Sequence, residues 1–368
     1  MAKESYVPSP ARIKVIGLGG AGSNAITRMV RDQIRGVEFI AMNTDSQHLA
    51  ITEAAVRVHI GERVSRGLGA GGDHRVGRAS AEESAQEIKK IVDGADMVFI
   101  TAGMGGGTGT GSIAVVAEMA KNTGALTIAV VTKPFQFEGA RRNAVAEEGI
   151  ADLVDKVDTL IIIPNDRLFD LCDQKTGVDG AFKLADQVLS SGVQAIAEVI
   201  TVPGLINLDF ADVKAIMKDA GPAWMSIGHG QGQNRAVEAA KDALASPLLG
   251  VSVQGARGVL FNVAGGGNLT LFEVNAAAEV IRQQVDPDAN IIFGVVLDQK
   301  LGNELRLTLI ATGFADKKSL VGAAREREIQ RLLKGLKSDD ELEKPAYSRH
   351  SGLFGAYGRT PVVGRFHS

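Results

Sequence analysis

Three glycine clusters constrain this chain more than any other feature. Gly17-Leu18-Gly19-Gly20-Ala21-Gly22-Ser23-Asn24 follows the apolar stretch 12–16 (RIKVI) and runs into a helical pattern. Gly103-Met104-Gly105-Gly106-Gly107-Thr108-Gly109-Thr110-Gly111 lies at another such junction, and Gly67-Leu68-Gly69-Ala70-Gly71-Gly72 follows a third strand-like stretch. Glycine is entropically costly to order, so clusters of it between strands and helices signal backbone brought close to a ligand. A helix N-terminus there offers free N–H groups and a favourable dipole to an anion. Any one cluster reads as well as a tight turn. Three in one chain, two of them at strand-to-helix junctions, favour phosphate binding.

The first loop alone leaves two readings open. Gly17, Gly19 and Gly22 match G-x-G-x-x-G, and Asp45 follows at the distance where dinucleotide folds place a ribose-binding acid. That fits an NAD-dependent enzyme. The second loop favours a different ligand. A single dinucleotide fold has no use for another cradle this rich, whereas a triphosphate carries several oxygens needing donors from more than one side. No G-x-x-x-x-G-K-[ST] occurs, so a P-loop is excluded. Backbone amides and threonine hydroxyls, helped by a cation, would replace the P-loop lysine.

The segments around the loops set the fold class. Apolar runs at 12–16, 37–42, 97–101, 126–132 and 159–163 read as strands, with amphipathic segments such as 78–92 and 112–121 between them. This alternation predicts an α/β, mostly parallel, Rossmann-like sheet covered on both faces, with ligands beyond the carboxyl ends of the strands. A long central helix is predicted over 179–202, ended by Pro203-Gly204. A second, smaller α/β domain follows: a helix at 236–245, a strand at 258–264, a helix at 271–284. Strands at 290–297 and 304–312, joined by a short loop containing Gly302-Asn303, bring some antiparallel pairing. The organisation read is a flexible arm at 1–11, a nucleotide domain at 12–178, the helix at 179–202, an acidic loop and helix at 203–221, the second domain at 222–316, and a charged, mostly disordered tail at 317–368.

Charge and composition exclude some function classes. The net charge of −3 does not suggest nucleic-acid binding. The tail from Lys317 holds 11 Lys and Arg against 6 Asp and Glu, a net +5, which leaves −8 for the rest. No apolar run approaches the roughly 20 residues of a membrane span. The lone cysteine, Cys172, permits no intramolecular disulfide and is read as a buried small residue in a reducing cytoplasm. The histidines lack metal-ligand spacing, so no metal site built from side chains is expected.

Taken in order, these residues resemble FtsZ, the bacterial relative of tubulin. Gly105-Gly106-Gly107-Thr108-Gly109-Thr110-Gly111 is similar to the signature that tubulins and FtsZ share. Asn43-Thr44-Asp45, Arg66 to Gly71, Pro134-Phe135, Pro164-Asn165-Asp166, Asn207 to Val213 and Ala311 to Phe314 extend the likeness from about Arg12 to Phe314. The resemblance implies a GTPase that polymerises head-to-tail into the filaments of a cytokinetic ring. Gly20, Ala21, Gly22, Ser23, Asn24, Gly107, Thr108 and Gly109 would hold phosphates, and Gly71 and Gly72 would close over the terminal one. Glu138 and Arg142 would lie near ribose and phosphates, Asn165 and Asp186 would read the guanine edge, and Phe182 would stack on the base. Mg²⁺ would offset phosphate charge, with Asp45 helping to place it through water.

The resemblance also implies where hydrolysis is completed. Asn207, Asp209 and Asp212 would enter the site of the neighbouring molecule and orient the attacking water. Read without the family, Asp209 is a helix N-cap and Asp212 a first-turn acid, Glu138 and Arg142 a plain i,i+4 pair, Asp186 a solvated helix face and Phe182 core. A tubulin-like filament protein with a cell-shape role is the alternative within the fold. The implied location is the cytoplasm at mid-cell, with division proteins or membrane anchors as partners of the tail. The end, Arg359 to Ser368, keeps proline, aliphatics, Arg365 and Phe366, but in a different order from the family's acidic anchor peptide.

Overall fold

The computed structural model describes residues 11–172, 177–201, 209–246, 248 and 253–314. The arm at 1–10, the tail from 315 and the whole loop at 202–208, Asn207 included, lie outside the described residues.

A ten-stranded sheet organises these residues. Its strands are β1 (Ile13–Leu18), β2 (Val37–Asn43), β3 (Val56–His59), β4 (Met97–Gly103), β5 (Leu126–Lys133), β6 (Thr159–Pro164), β7 (Gly221–Gly230), β8 (Gly258–Gly265), β9 (Asn290–Leu297) and β10 (Leu305–Thr312), in the order β3-β2-β1-β4-β5-β6-β7-β10-β8-β9. The helices are α1 (Gly19–Arg31), α2 (Ser46–Ile51), α3 (Glu62–Ser65), α4 (His74–Glu83), α5 (Ala85–Val92), α6 (Thr108–Asn122), α7 (Ala140–Leu153), α8 (Val178–Thr201), α9 (Phe210–Met217), α10 (Arg235–Ala245) and α11 (Leu271–Arg282).

The run from β3 to β6 is parallel, and its inner strands β1, β4 and β5 are buried on both faces. That explains their near-continuous apolar sequence. Ile13, Val15, Phe99 and Val130 point into a core shared with α1 and α8. Ile16, Leu18, Ile100 and Val131 point into the opposite core, under α4 to α7. A third core gathers Trp224, Phe261 and Leu307 beneath α10 and α11. Phe99 is fully buried, and truncating such a side chain costs about 3–5 kcal/mol.

Register places the site. Leu18 pairs with Ala102, Gly103 with Thr132, and Lys133 with Pro164. The carboxyl ends of β1, β4, β5 and β6 therefore stand in a row. The chain order reverses between β1 and β4, the switch point at which open α/β sheets bind ligands.

The structure corrects three readings. Residues 78–92 are not one segment: α4 ends at Glu83, and Ser84 (φ −92°, ψ 14°) redirects the chain into α5. The ten-residue β7 was not read at all. The antiparallel pairing is real but joins β10 to β7 and β8; β9 runs parallel beside β8 at the sheet edge and does not touch β10. Among the described residues no helix is long and apolar enough to cross a membrane.

Candidate active site

A cavity of about 270 Å³ opens at the carboxyl ends of β1, β4, β5 and β6. Its walls at one end are Gly20 and Ala21, from the start of α1, and Gly103, Gly106, Gly107, Thr108 and Gly109, leading into α6. Neither α1 nor α6 has a side-chain N-cap. The first N–H groups of both helices are thus left without a capping side chain where they meet the cavity, an arrangement suited to an anion.

Close backbone approach explains the glycines. A β-carbon on Gly109 would lie 3.1 Å from the Gly103 oxygen and 3.2 Å from the Leu18 oxygen. Gly22 does a different task. It lies against the Thr101 carbonyl, 2.6 Å from where a β-carbon would sit, and seats α1 on the sheet. Ser23 is buried, its hydroxyl has no partner, and Asn24 is exposed; neither lines the cavity. Gly71 and Gly72 also stand outside the lining, exposed and left-handed at φ +57° and +78°. Their loop nevertheless reaches the cradle, because a β-carbon on Gly107 would be 2.8 Å from that of Ala70 and 3.0 Å from the Asp73 nitrogen.

Two threonines order the second loop. Thr110 Oγ1 accepts from Gly105 N at 2.9 Å, and the Thr108 and Thr44 hydroxyls share a hydrogen bond at 2.6 Å. Asp45 caps α2, its Oδ1 accepting from Gln47 N at 2.9 Å and His48 N at 3.1 Å. A carboxylate used this way does not read as the ribose acid of a dinucleotide fold.

The other end of the cavity is polar in a different manner. Glu138 and Arg142 form an ion pair one turn apart, and Glu138 Oε1 also accepts from Phe135 N at 2.9 Å. The plain i,i+4 pair exists, and it lines the cavity. Phe182, on α8, packs edge-on to the fully buried Phe135, ring centroids 5.4 Å apart, yet stays 40% exposed. It is therefore a wall with an open face rather than core. Asn165, just past β6, is only 4% exposed, and its Oδ1 has no hydrogen-bond partner. Asp186, one turn beyond Phe182, is pushed up to about 7 by burial, against the pull of Arg28. A buried acceptor left unpaired costs about 1–3 kcal/mol, so an orphan amide oxygen beside a desolvated carboxylate marks a place for a ligand that donates.

Sequence reasoning missed Thr132, Pro134 and Ala185 of the lining. Thr132 and Pro134 had a signal in their position at the end of β5. Ala185 had none, since only the return of α8 brings it there.

Asp209 and Asp212 do not line the cavity. Both are exposed at the start of α9, where Asp209 Oδ1 accepts from Asp212 N at 2.8 Å as an N-cap. Cys172 is half-buried rather than buried. Among the described residues no three His, Cys, Asp or Glu gather in a way that could hold a metal ion.

Comparison with known proteins agrees with this geometry. The GTPase domain of the Tubulin/FtsZ family matches residues 12–173, and the C-terminal domain of the FtsZ family matches residues 221–315. An empty FtsZ dimer from M. jannaschii is similar at 48% identity and a TM-score of 0.81, over 83% of this chain and 89% of that one. CetZ2 from Haloferax volcanii, a GTPγS-bound protofilament, shares the fold at 20% identity and a TM-score of 0.71, over 87% and 99% of the two chains.

Proposed function

The chain belongs to the Tubulin/FtsZ family and is a GTPase, and from that premise we propose that it polymerises head-to-tail into filaments of the cell-division ring, each molecule's GTP being hydrolysed with help from the next. The observation that carries the reading is the cavity itself, with bare helix N-termini at one end and the unpaired Asn165 beside Asp186 at the other.

Guanine fits the polar end. Its N1–H and exocyclic amine both donate, matching a carboxylate at Asp186 and the free Asn165 Oδ1, whereas adenine presents the wrong edge to the carboxylate. The open face of Phe182 suits the base. Amides of Gly20, Ala21 and the 107–109 turn take the phosphates, with Gly22, Ser23 and Asn24 carrying α1 beneath them and Gly71 and Gly72 covering the terminal one. Arg142 supplies positive charge, held in place by Glu138.

Mg²⁺ suits a site like this because it takes few protein ligands and keeps phosphate oxygens and water. When bound it neutralises phosphate charge, and Asp45 stands nearest in role as an outer partner through water. Water activation falls to Asp209 and Asp212, with Asn207, presented to the neighbour. The exposure of Asp209 and Asp212 and their absence from their own molecule's cavity suit that assignment. A head-to-tail contact of this kind is heterologous and builds an open filament. The dimer of the M. jannaschii FtsZ and the protofilament of CetZ2 support assembly. The site of action is the cytoplasm at mid-cell, with the basic tail meeting division proteins or membrane anchors.

Light scattering after adding GTP, GDP or NAD tests the reading. Scattering is expected with GTP and Mg²⁺ alone, and Asp212→Ala should lose phosphate release while GTP binding persists. Scattering with NAD, or an unaffected Asp212→Ala, would overturn it.

A further inference from the structure

Behind the base end of the cavity, two pairs of residues face each other across packed helices. Arg28 on α1 and its C-cap residue Asp32 are one turn apart; Asp186 and Ser190 are one turn apart on α8; and α1 packs along α8. The Ser190 hydroxyl donates to Asp32 Oδ2 at 3.2 Å. That same oxygen lies 3.7 Å from Arg28 Nε, too far for a hydrogen bond. The Arg28 Nε is in fact buried with no hydrogen-bond partner. Asp186 likewise accepts no hydrogen bond among the described residues, and Arg28 is the charge that favours its ionised form. An unsatisfied guanidinium N–H thus stands near an unsatisfied carboxylate that lines the cavity.

The other charged groups nearby are already engaged. Lys183, also on α8, pairs with Asp179 at 2.6 Å. Arg142 pairs with Glu138. Asp166 accepts from Gln136 N at 2.9 Å. Among the described residues, Arg28 is the charge that acts on Asp186.

We propose that Arg28 is a positioning residue for base recognition: it is shared between Asp32 and Asp186, and turns to Asp186 when a guanine nucleotide binds, holding that carboxylate ionised toward the N1–H and exocyclic amine. Asp32, steered by Ser190, holds Arg28 in its place before the base arrives. This rests on the reading that Asp186 recognises guanine. Because the carboxylate must be ionised to accept both donors, and burial sets its titration near 7, guanine affinity should weaken as pH falls through that region.

Calorimetric titration of GDP, IDP and ADP into the nucleotide-free full-length protein, from pH 6 to pH 9, is the test. Losing an opposite charge moves a neighbouring pKa by about 1 unit. Arg28→Met should therefore raise the midpoint of the pH dependence by about 1 unit, with a roughly fivefold loss of GDP affinity at pH 7 and almost none at pH 9. IDP lacks the exocyclic amine, so its affinity should follow pH less steeply. Arg28→Lys should restore the midpoint, and Asp32→Asn, which frees Arg28, should lower it. A loss equal at every pH, or an unmoved midpoint, overturns the proposal; should Arg28→Met fail to fold, an unmoved midpoint in Asp32→Asn does so. Asp186→Asn separates the two levels. If it keeps the pH dependence and the preference for GDP over ADP, recognition by Asp186 is itself wrong. If it loses both while Arg28→Met titrates as wild type, only the role of Arg28 is discarded.

Discussion

Gly19 and Gly109 meet backbone to backbone: a β-carbon on Gly19 would lie 2.9 Å from the Gly109 amide nitrogen. Gly19 also holds φ at +68°. The loop after β1 and the loop after β4 are thus one cradle, formed where two backbones touch.

Gly19→Ala should break that contact. A left-handed alanine costs about 1–2 kcal/mol, and the crowding adds about 1–3 kcal/mol. GTP affinity is expected to fall at least about tenfold, since 1.4 kcal/mol is a factor of ten. Calorimetry gives the affinity, and circular dichroism should show an intact fold.

Asn165→Ala removes a buried acceptor that has no partner of its own in the protein. Stability should change little. Guanine nucleotide affinity should drop by about 1–3 kcal/mol, with ATP affinity unaffected. Equal losses for both nucleotides would assign Asn165 to the scaffold instead.

Asp209 has two separable tasks. Its side chain caps α9 by accepting from Asp212 N, and a cap is worth about 1 kcal/mol. Asparagine caps as well as aspartate, so Asp209→Asn should keep the melting temperature and lose GTP turnover. Asp209→Ala should lose both. Thermal melts and phosphate release, measured together, check this.

Stability of the nucleotide-free protein should decrease as pH rises toward and through 7. Asp186 is raised by burial from 3.8 to about 7 in the folded state, so between those values the folded protein holds a proton that the unfolded chain has released. That contribution is complete below the unfolded value and is lost as pH passes the folded one. Glu198, also raised by burial, acts in the same direction. In urea titrations Asp186→Asn should flatten the slope and exceed wild type in stability at pH 8.

Arg235 is 4% exposed and ties three segments together. It donates to Glu273 at 2.6 Å and to the carbonyls of Asn303 and Asn268 at 3.1 and 3.3 Å. Arg235→Met strands these acceptors, and breaking a buried pair costs about 3 kcal/mol. A lower urea midpoint with unchanged GTP affinity is expected, because none of these groups lines the cavity.

The inner strands of the parallel half, β1, β4 and β5, were legible because they are buried on both faces and read as apolar runs, whereas the edge strand β3 was not. β7 was not, and glycine is the reason. Gly228 and Gly230 look like turn residues, but a β-carbon on them would lie 2.0 Å from the Ala239 oxygen and 1.9 Å from the Arg235 oxygen. They let α10 lie directly on the strand. The phosphate end of the site was readable from its glycines. The base end was not, since Asp186 in isolation is an acid on a helix, and only the packing of α8 against β5 and α1 carries it to the cavity. Nothing in the spacing of Arg28 hints at its neighbour on α8.

A cradle of main-chain amides has no proton to gain or lose. Through the region where Asp186 titrates, the amides of the two glycine loops keep their protonation state. On the protein's side, changes in acidity therefore act through Asp186 and the choice of base, while the groups that meet the phosphate chain gain and lose no proton.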